Sequence, residues 1–181
     1  MKNNKALGQH WLKNRIILDE IAGLAAYGGA YESSDITEVE QQKQPNVANT
    51  TKMANTAIEI GPGLGTLTSS LLKYFSKVIA IEYDARLAQN LPKSFPGKNL
   101  EVVNADILKY DFGGIKESYV VAGNIPYYIT SPIIEKLLWL EPRPERIVLL
   151  IQKEVAERIA ADKETILSLM VKNRADVMLG P

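Results

Sequence analysis

A glycine-rich loop and an acidic residue that follows it have the spacing of a nucleoside-binding site. The loop EIGPGLGT, residues 59–66, comes directly after a short apolar run and opens a helical pattern. Its glycines, among them Gly61 and Gly63, permit a tight turn and let a ligand approach the backbone closely. Glu82 ends the next apolar run, where an acid can accept hydrogen bonds from both hydroxyls of an adenosine ribose. This spacing favours nucleoside binding over an ordinary strand-to-helix turn.

Two residues of the loop and one further acid indicate the kind of nucleoside cofactor. A dinucleotide needs backbone N–H groups facing its pyrophosphate, and Pro62 removes one of them. Glu59 adds a negative charge, which disfavours a diphosphate and suits the sulfonium and ammonium groups of S-adenosylmethionine. Asp106 ends a third apolar run and is placed to accept a hydrogen bond from the adenine amine of that cofactor. Its alternative role is to cap the turn that follows.

A second segment, NIPY, carries groups that can hold an aminated base. The amine nitrogen of such a base is a poor nucleophile because its lone pair is delocalised into the ring. Oδ1 of Asn124 and the carbonyl of Ile125 are candidate acceptors for its two N–H bonds. Pro126 fixes the backbone, and Tyr127 offers a flat face to a flipped-out base. The alternative is a simple turn, but a position at the end of a predicted strand favours a ligand site.

The elements that must position these groups alternate between strands and helices. Near-continuous apolar strands separated by helices predict a mostly parallel sheet covered on both faces. The predicted strands span 56–61, 77–82, 100–106, 117–124 and 146–152, and a sixth begins at 176–180. The predicted helices span 14–27, 63–75, 85–91, 131–140, 153–160 and 164–175. Asn14 and Ser131 are the expected N-caps of the first and fourth helices, with Pro132 at the first helical position.

Composition argues against several other kinds of protein. The chain has 181 residues, enough for one domain, with 46% hydrophobic and 23% charged residues. It has no cysteine and a single histidine, so we expect neither a disulfide framework nor a metal site. No apolar run approaches the roughly 20 residues of a membrane helix, and we see no signal peptide. We therefore expect a cytoplasmic protein without a membrane partner.

Charge is balanced over the chain but uneven along it. The 21 basic and 21 acidic residues give a formal net charge of zero. Lys2, Lys5, Lys13 and Arg15 make the first fifteen residues basic, which from charge alone favours a solvated tail over an RNA contact. Residues 28–55 are polar and poor in large apolar side chains, so we expect a flexible surface insertion there.

Several motifs together resemble the ribosomal RNA adenine N6,N6-dimethyltransferase family, the KsgA type, which is similar to the Erm resistance methylases. They occur in the family's order and run through nearly the whole chain except residues 28–55. The matching segments are LGQHWL (7–12), EIGPGLGTLT (59–68), IEYD (81–84), NADIL (104–108), GNIPYYITSPII (123–134) and IQKEVAERI (151–159).

The resemblance implies a fold, a reaction and a set of contacts. The fold is a Rossmann-like class I methyltransferase, an α/β doubly wound sheet. The reaction is S-adenosylmethionine-dependent dimethylation of adenines in small-subunit ribosomal RNA. The implied cofactor contacts are His10, Leu12, Gly61, Glu82, Asp106 and Asn124, with Gly63 in the same loop. Asn124 and Tyr127 would hold the target base, with Ile125 and Pro126 between them, and we expect a monomer that contacts the small ribosomal subunit.

Family members continue beyond the point where this chain stops. The resemblance therefore implies a core truncated before its last strand and a C-terminal helical domain. Three alternatives stay open from the sequence. One is an Erm-type enzyme acting on large-subunit ribosomal RNA, and another is a catalytically inactive RNA-binding assembly factor. The third, an NAD-linked oxidoreductase, gives no role to Pro62 or to the NIPY segment.

Overall fold

A five-stranded sheet, all parallel, forms the centre of the fold. The computed structural model describes residues 14–28, 54–161 and 165–179. Every residue of the first strand is buried, as are five of the six residues in the second and in the fourth. Burial on both faces explains why these strands are continuous apolar runs and do not alternate. The strands are β1 (Thr56–Ile60), β2 (Lys77–Glu82), β3 (Leu100–Asn104), β4 (Tyr119–Asn124) and β5 (Arg146–Leu150).

Helices connect the strands and begin close to their predicted positions. Within the described ranges they are α1 (Arg15–Tyr27), α2 (Thr66–Tyr74), α3 (Ala85–Asn90), α4 (Thr130–Leu138), α5 (Lys153–Ala160) and α6 (Ile166–Lys172). Two short 3₁₀ turns lie at Leu91–Ser94 and Tyr127–Ile129. The predicted cap of α1 is confirmed, because the Asn14 side chain accepts a hydrogen bond from the Ile16 N–H. None of the described helices has the length and apolar character needed to cross a bilayer.

The strand order creates a reversal beside β1. The order across the sheet is β3-β2-β1-β4-β5. The chain builds outward from β1 through β2 to β3, and then returns to place β4 on the other side of β1. Ile60 of β1 therefore lies opposite Gly123 of β4. Ligands of open α/β sheets bind outside the carboxyl ends of the strands at such a reversal. This topology puts the glycine-rich loop beside the NIPY segment.

Apolar layers cover both faces of the sheet, as predicted. On one face, α1 and α2 pack on small and branched side chains such as Ala57, Val78 and Val120. On the other face, α4 and the segment 105–115 pack on the opposite side chains of the same strands. A third, smaller apolar cluster joins α4, α5 and α6. The sheet is therefore held from both sides, and its carboxyl ends form a fixed platform.

The predicted sixth strand is wrong for the part of it that the structure describes. Residues 176–179 have no strand conformation, and the described sheet ends at β5. A strand needs a neighbour that shares its backbone hydrogen bonds, and no described strand pairs with this segment. Met178 and Leu179 accordingly have exposed side chains. An apolar run alone is insufficient evidence for a strand at this point.

The predicted cap at Ser131 is also wrong. Helix α4 starts at Thr130, and Ile129 occupies its N-cap position without a side-chain hydrogen bond. The 3₁₀ turn before it leads directly into the helix, so the chain turns without an Asx- or Ser-type cap. Pro132 becomes the third helical residue, where its missing N–H is still one of those that lack an intrahelical partner.

We expect Thr56→Val to stabilise the fold by roughly 1 kcal/mol. Thr56 is buried at the start of β1, and its hydroxyl has no hydrogen-bond partner among the residues that the structure describes. Valine keeps the β-branched shape and removes the unsatisfied hydroxyl. Urea denaturation would measure the change in the free energy of unfolding. The matched control is Thr130→Val, which should destabilise, because the buried Thr130 hydroxyl donates to the Pro126 carbonyl at 3.1 Å. Equal destabilisation by both substitutions would contradict this prediction.

Candidate active site

A cleft of about 700 Å³ opens at the carboxyl ends of the strands, next to the reversal between β1 and β4. This volume lies within the range of small-molecule sites in proteins, and the lining combines apolar side chains with a few polar groups. The loops after β1, β2, β3 and β4 all contribute to it. Its lining includes these residues singled out from the sequence: Gly61, Gly63, Glu82, Asp106, Asn124, Ile125, Pro126 and Tyr127. The structure thus brings together every predicted site residue that it describes.

The glycine-rich loop presents its backbone to this cleft. Gly61 has φ +65°, a conformation that favours glycine, and its N–H donates to the Ile81 carbonyl at 2.9 Å. A Cβ built on Gly61 would meet no atom within 4 Å, so the backbone there faces open space. Gly65 differs, because a Cβ there would lie 2.7 Å from atoms of Leu91 and Phe95. Gly61 therefore leaves open space beside the backbone, whereas Gly65 allows close packing behind the loop.

Glu82 ties the loops after β1 and β2 together. One carboxylate oxygen accepts a hydrogen bond from the Gly63 N–H at 2.9 Å, and the other accepts from the Asp84 N–H at 2.9 Å. The side chain is buried at the edge of the cleft. Two backbone donors on separate loops fix the carboxylate, which leaves little freedom for it to rotate. The carboxylate is therefore a preorganised hydrogen-bond acceptor at the edge of the cleft.

Asn104, which the sequence motifs assigned no role, supports the end of β2 at Glu82 from the neighbouring strand. Its amide nitrogen donates to the Glu82 carbonyl at 2.8 Å and to the Tyr83 carbonyl at 3.1 Å. These bonds hold the end of β2, and with it the exposed ring of Tyr83, which also lines the cleft. Only the pairing of β2 with β3 reveals this contact, since Glu82 lies opposite Asn104 in that register.

Glu59 lines the cleft, and its protonation differs from the negative charge expected from the sequence. It is 1% exposed, and its carboxyl group accepts a hydrogen bond from the Thr68 hydroxyl at 2.6 Å. Burial, and to a lesser degree the nearby Glu82, raises the pKa of Glu59 from 4.5 to about 8, against the opposing effect of the Thr68 hydrogen bond. At neutral pH the carboxyl group is therefore mostly protonated. The negative charge expected at this position is therefore largely missing from the cofactor-free cleft.

Asp106 has the capping role that the sequence left open as one alternative, and it also faces the cleft. Its Oδ1 accepts from the Leu108 N–H at 3.0 Å, which caps the turn after β3. The same residue lines the cleft. Lys136 of α4, also missed by the sequence analysis, donates to the carbonyls of Leu108 at 3.0 Å and Tyr110 at 2.7 Å. The turn that carries Asp106 is therefore fixed from both ends.

The NIPY segment leaves β4 under tight backbone control. Asn124 is the last residue of β4, opposite Leu150 of β5, and the Ile125 N–H donates to the Leu150 carbonyl at 3.0 Å. Pro126 has an extended ψ of 138°, and its carbonyl accepts from the Thr130 hydroxyl at 3.1 Å. Tyr127 then projects outward and is 57% exposed. The segment can therefore present acceptors inside the cleft and an aromatic face at its mouth.

Two predicted cofactor contacts, His10 and Leu12, lie outside the described residues, as does most of the polar insertion at 28–55. The described part of the chain contains no group of three or more histidine, cysteine or acidic side chains that could hold a metal ion.

A match to a protein family identifies the group of proteins to which this chain is related. The family model for ribosomal RNA adenine dimethylase matches residues 1–179. The chain belongs to the ribosomal RNA adenine dimethylase family. The resemblance inferred from the motifs is therefore confirmed.

The chain also resembles curated proteins of this family. Two of these relatives carry the name ribosomal RNA small subunit methyltransferase A. The protein from Dehalococcoides mccartyi is 36% identical over 165 residues, which cover 89% of this chain and 48% of the relative. The protein from Ligilactobacillus salivarius is 41% identical over 169 residues, which cover 89% of this chain and 49% of the relative. The chain thus spans about half the length of the curated relatives it matches.

Solved structures of related methyltransferases share the fold. A dimethyladenosine transferase from Plasmodium falciparum is 36% identical, with a TM-score of 0.62 over 84% of this chain and 47% of that chain. The 23S rRNA methyltransferase ErmE is 29% identical, with a TM-score of 0.60 over 82% of this chain and 50% of that chain. The predicted fold class, a Rossmann-like class I methyltransferase, is confirmed.

Proposed function

We propose that this chain transfers methyl groups from S-adenosylmethionine to the N6 amine of adenines in small-subunit ribosomal RNA, with dimethylation as the outcome. The observation that carries the proposal is the meeting of the glycine loop, Glu82 and NIPY around one cleft. Membership of the ribosomal RNA adenine dimethylase family and the names of the curated relatives support the substrate class. We expect a monomeric cytoplasmic protein whose partner is the small ribosomal subunit.

The residues of the cleft fit S-adenosylmethionine. The fixed Glu82 carboxylate is a suitable acceptor for ribose hydroxyls, and Asp106 is a suitable acceptor for the adenine amine. Gly61 offers open backbone, and Pro62 removes an N–H that a diphosphate would use. We assign His10, Leu12, Gly63 and Asn124 to the same binding site on the basis of the family motifs. When bound, the cofactor supplies a methyl group activated by its sulfonium.

The residues that follow β4 would prepare the acceptor base. Oδ1 of Asn124 and the carbonyl of Ile125 would accept hydrogen bonds from the adenine amine, which directs the nitrogen lone pair away from the ring. Pro126 fixes the backbone between them, and Tyr127 stacks on the flipped-out base. Catalysis would then come from positioning and exclusion of water, since the amine proton becomes acidic only after methylation.

The experiment that tests this function compares two RNA substrates. Tritiated methyl transfer should occur to 30S particles and be absent or far slower with 23S RNA. Transfer to 23S RNA alone would favour the Erm-type alternative, which the similarity to ErmE keeps open. Cofactor binding by calorimetry without transfer to either substrate would favour an RNA-binding assembly factor. Stabilisation by NAD and not by S-adenosylmethionine in a thermal-shift assay would contradict the proposed function and both of these alternatives.

We expect Glu82→Ala to weaken S-adenosylmethionine binding by roughly 10- to 100-fold. The substitution removes the acceptor proposed for the ribose and also releases the Gly63 and Asp84 N–H groups, so both loops loosen. Isothermal titration calorimetry would measure the dissociation constant. The control is Glu101→Ala, which removes a carboxylate from an exposed position on β3 that pairs with Lys77. A dissociation constant unchanged by Glu82→Ala would remove Glu82 from the binding site.

A further inference from the structure

Tyr128 follows the NIPY segment, and that motif assigns it no role. It belongs to the same 3₁₀ turn as Tyr127, and its side chain lines the same cleft. It is 54% exposed, so the ring is not part of the core. Two large aromatic rings exposed together at the mouth of a cleft are typical of a surface that binds a flat partner.

The two rings face in perpendicular directions. Their centroids are 5.9 Å apart, and their planes meet at 85°. A 3₁₀ helix has three residues per turn, so consecutive side chains diverge by about 120°. A base stacks on an aromatic ring with the two planes parallel. One base therefore cannot stack on both tyrosines, and the faces are suited to two different bases.

The backbone around Tyr128 holds this arrangement in place. The Pro126 carbonyl accepts from the Ile129 N–H at 3.2 Å and from the Thr130 hydroxyl at 3.1 Å. These bonds close the turn around both tyrosines. Helix α4 begins directly after it and is anchored in the core by Ile133 and Leu137. The backbone position of Tyr128 at the cleft is therefore set by the fold.

From this geometry, and given the proposed function, we propose that Tyr128 stacks on a nucleotide adjacent to the target adenine. Tyr127 would hold the base that is methylated, and Tyr128 would hold its neighbour on the same strand. The second contact requires that the neighbour also be unpaired. Tyr128 would in this way contribute both affinity for single-stranded RNA and selection against targets within a duplex.

The test measures the coupling between Tyr128 and the neighbouring base. Fluorescence anisotropy would give dissociation constants for a short single-stranded RNA with a central adenine, and for the same RNA with an abasic nucleotide on its 5′ or 3′ side. On the intact RNA, Tyr128→Ala should weaken binding by roughly 5- to 100-fold. Tyr128→Phe should bind like the wild type, and Tyr128→Leu, which keeps bulk without a π-face, should resemble the alanine variant.

The abasic RNAs separate stacking from a supporting role. One of the abasic RNAs lacks the base that Tyr128 is proposed to stack on. On that RNA, Tyr128→Ala should not weaken binding further, because the missing base and the missing ring belong to the same contact. Tyr127→Ala is the matched control, and it should still weaken binding to that abasic RNA. Equal losses from Tyr128→Ala on the intact RNA and both abasic RNAs would overturn the inference.

Failure of the proposed function gives a different result. In that case the wild-type chain would bind S-adenosylmethionine but none of the RNAs, which overturns both proposals together. Wild-type RNA binding with no effect of Tyr128→Ala would overturn only the role of Tyr128. Calorimetry with S-adenosylhomocysteine on every variant verifies that the cofactor cleft stays folded.

Discussion

Asn124→Ala should lower methyl transfer by on the order of 100- to 1000-fold while leaving most of the S-adenosylmethionine binding intact. Asn124 is the last residue of β4 and lines the cleft between the glycine loop and the rest of the NIPY segment. Alanine removes the proposed acceptor for the adenine amine and leaves the Ile125 carbonyl as the only other one. Single-turnover transfer of a tritiated methyl group would measure the rate, and calorimetry would measure cofactor affinity.

Two further variants sharpen this result. Asn124→Asp keeps an acceptor oxygen at the same place, so its rate should fall between those of the wild type and the alanine variant. Asn90→Ala is the matched control, because Asn90 ends α3 and its amide donates to the Arg86 carbonyl at an exposed position outside the cleft. Its rate should equal the wild-type rate. Unchanged turnover in Asn124→Ala would exclude Asn124 from the mechanism.

The strands and the position of the cleft were predictable because their signals are local. Each buried strand is a short apolar run, and the residues suited to chemistry stand directly after these runs. Parallel strands bring all their carboxyl ends to one edge of the sheet, so Gly61, Glu82 and Asn124 had to share that edge. The reversal between β1 and β4 then makes the glycine loop and the NIPY segment neighbours.

The supporting residues were not predictable because their contacts are distant in sequence. Asn104 holds carbonyls that lie 22 and 21 residues before it, and Lys136 holds carbonyls 28 and 26 residues before it. Asn104 belongs to the NADIL segment, which gave it no role of its own, and Lys136 lies outside every matching segment. Only the strand register and the packing of α4 place them behind the site.

The incorrect predictions have physical causes of the same kind. The prediction of a sixth strand was wrong because a strand needs a neighbouring strand to share its hydrogen bonds, and an apolar run does not supply one. The prediction of a charged Glu59 did not hold for the cofactor-free protein because burial raises the pKa of its carboxyl group. Burial is a property of the folded molecule and is not visible in the sequence. Sequence therefore identified which groups the cleft contains, but not how its interior changes their proton affinity.

Glu59→Gln should make the cofactor-free protein more stable than the wild type above pH 8, by about 5 kcal/mol at most. Burial raises the pKa of Glu59 from 4.5 to about 8. Between these two values the folded protein keeps a proton that the unfolded chain has released. The contribution of Glu59 to wild-type stability therefore falls as the pH rises from 4.5 to 8 and is constant outside that window. Glutamine stays neutral and still accepts from the Thr68 hydroxyl, so its stability lacks this decline.

Urea denaturation of both proteins at several pH values would measure the difference, with Glu101→Gln as a control that removes an exposed carboxylate from the same sheet. The wild-type and Glu59→Gln curves should converge below pH 4.5 and separate steadily toward pH 8. Parallel curves across this range would contradict the protonation of Glu59. Because a cationic ligand favours the ionised carboxylate, saturating S-adenosylmethionine should reduce the wild-type decline and leave the variant's curve shape unchanged. The same buried carboxyl group that weakens the cofactor-free fold at high pH would then supply charge to the cleft when the cation arrives.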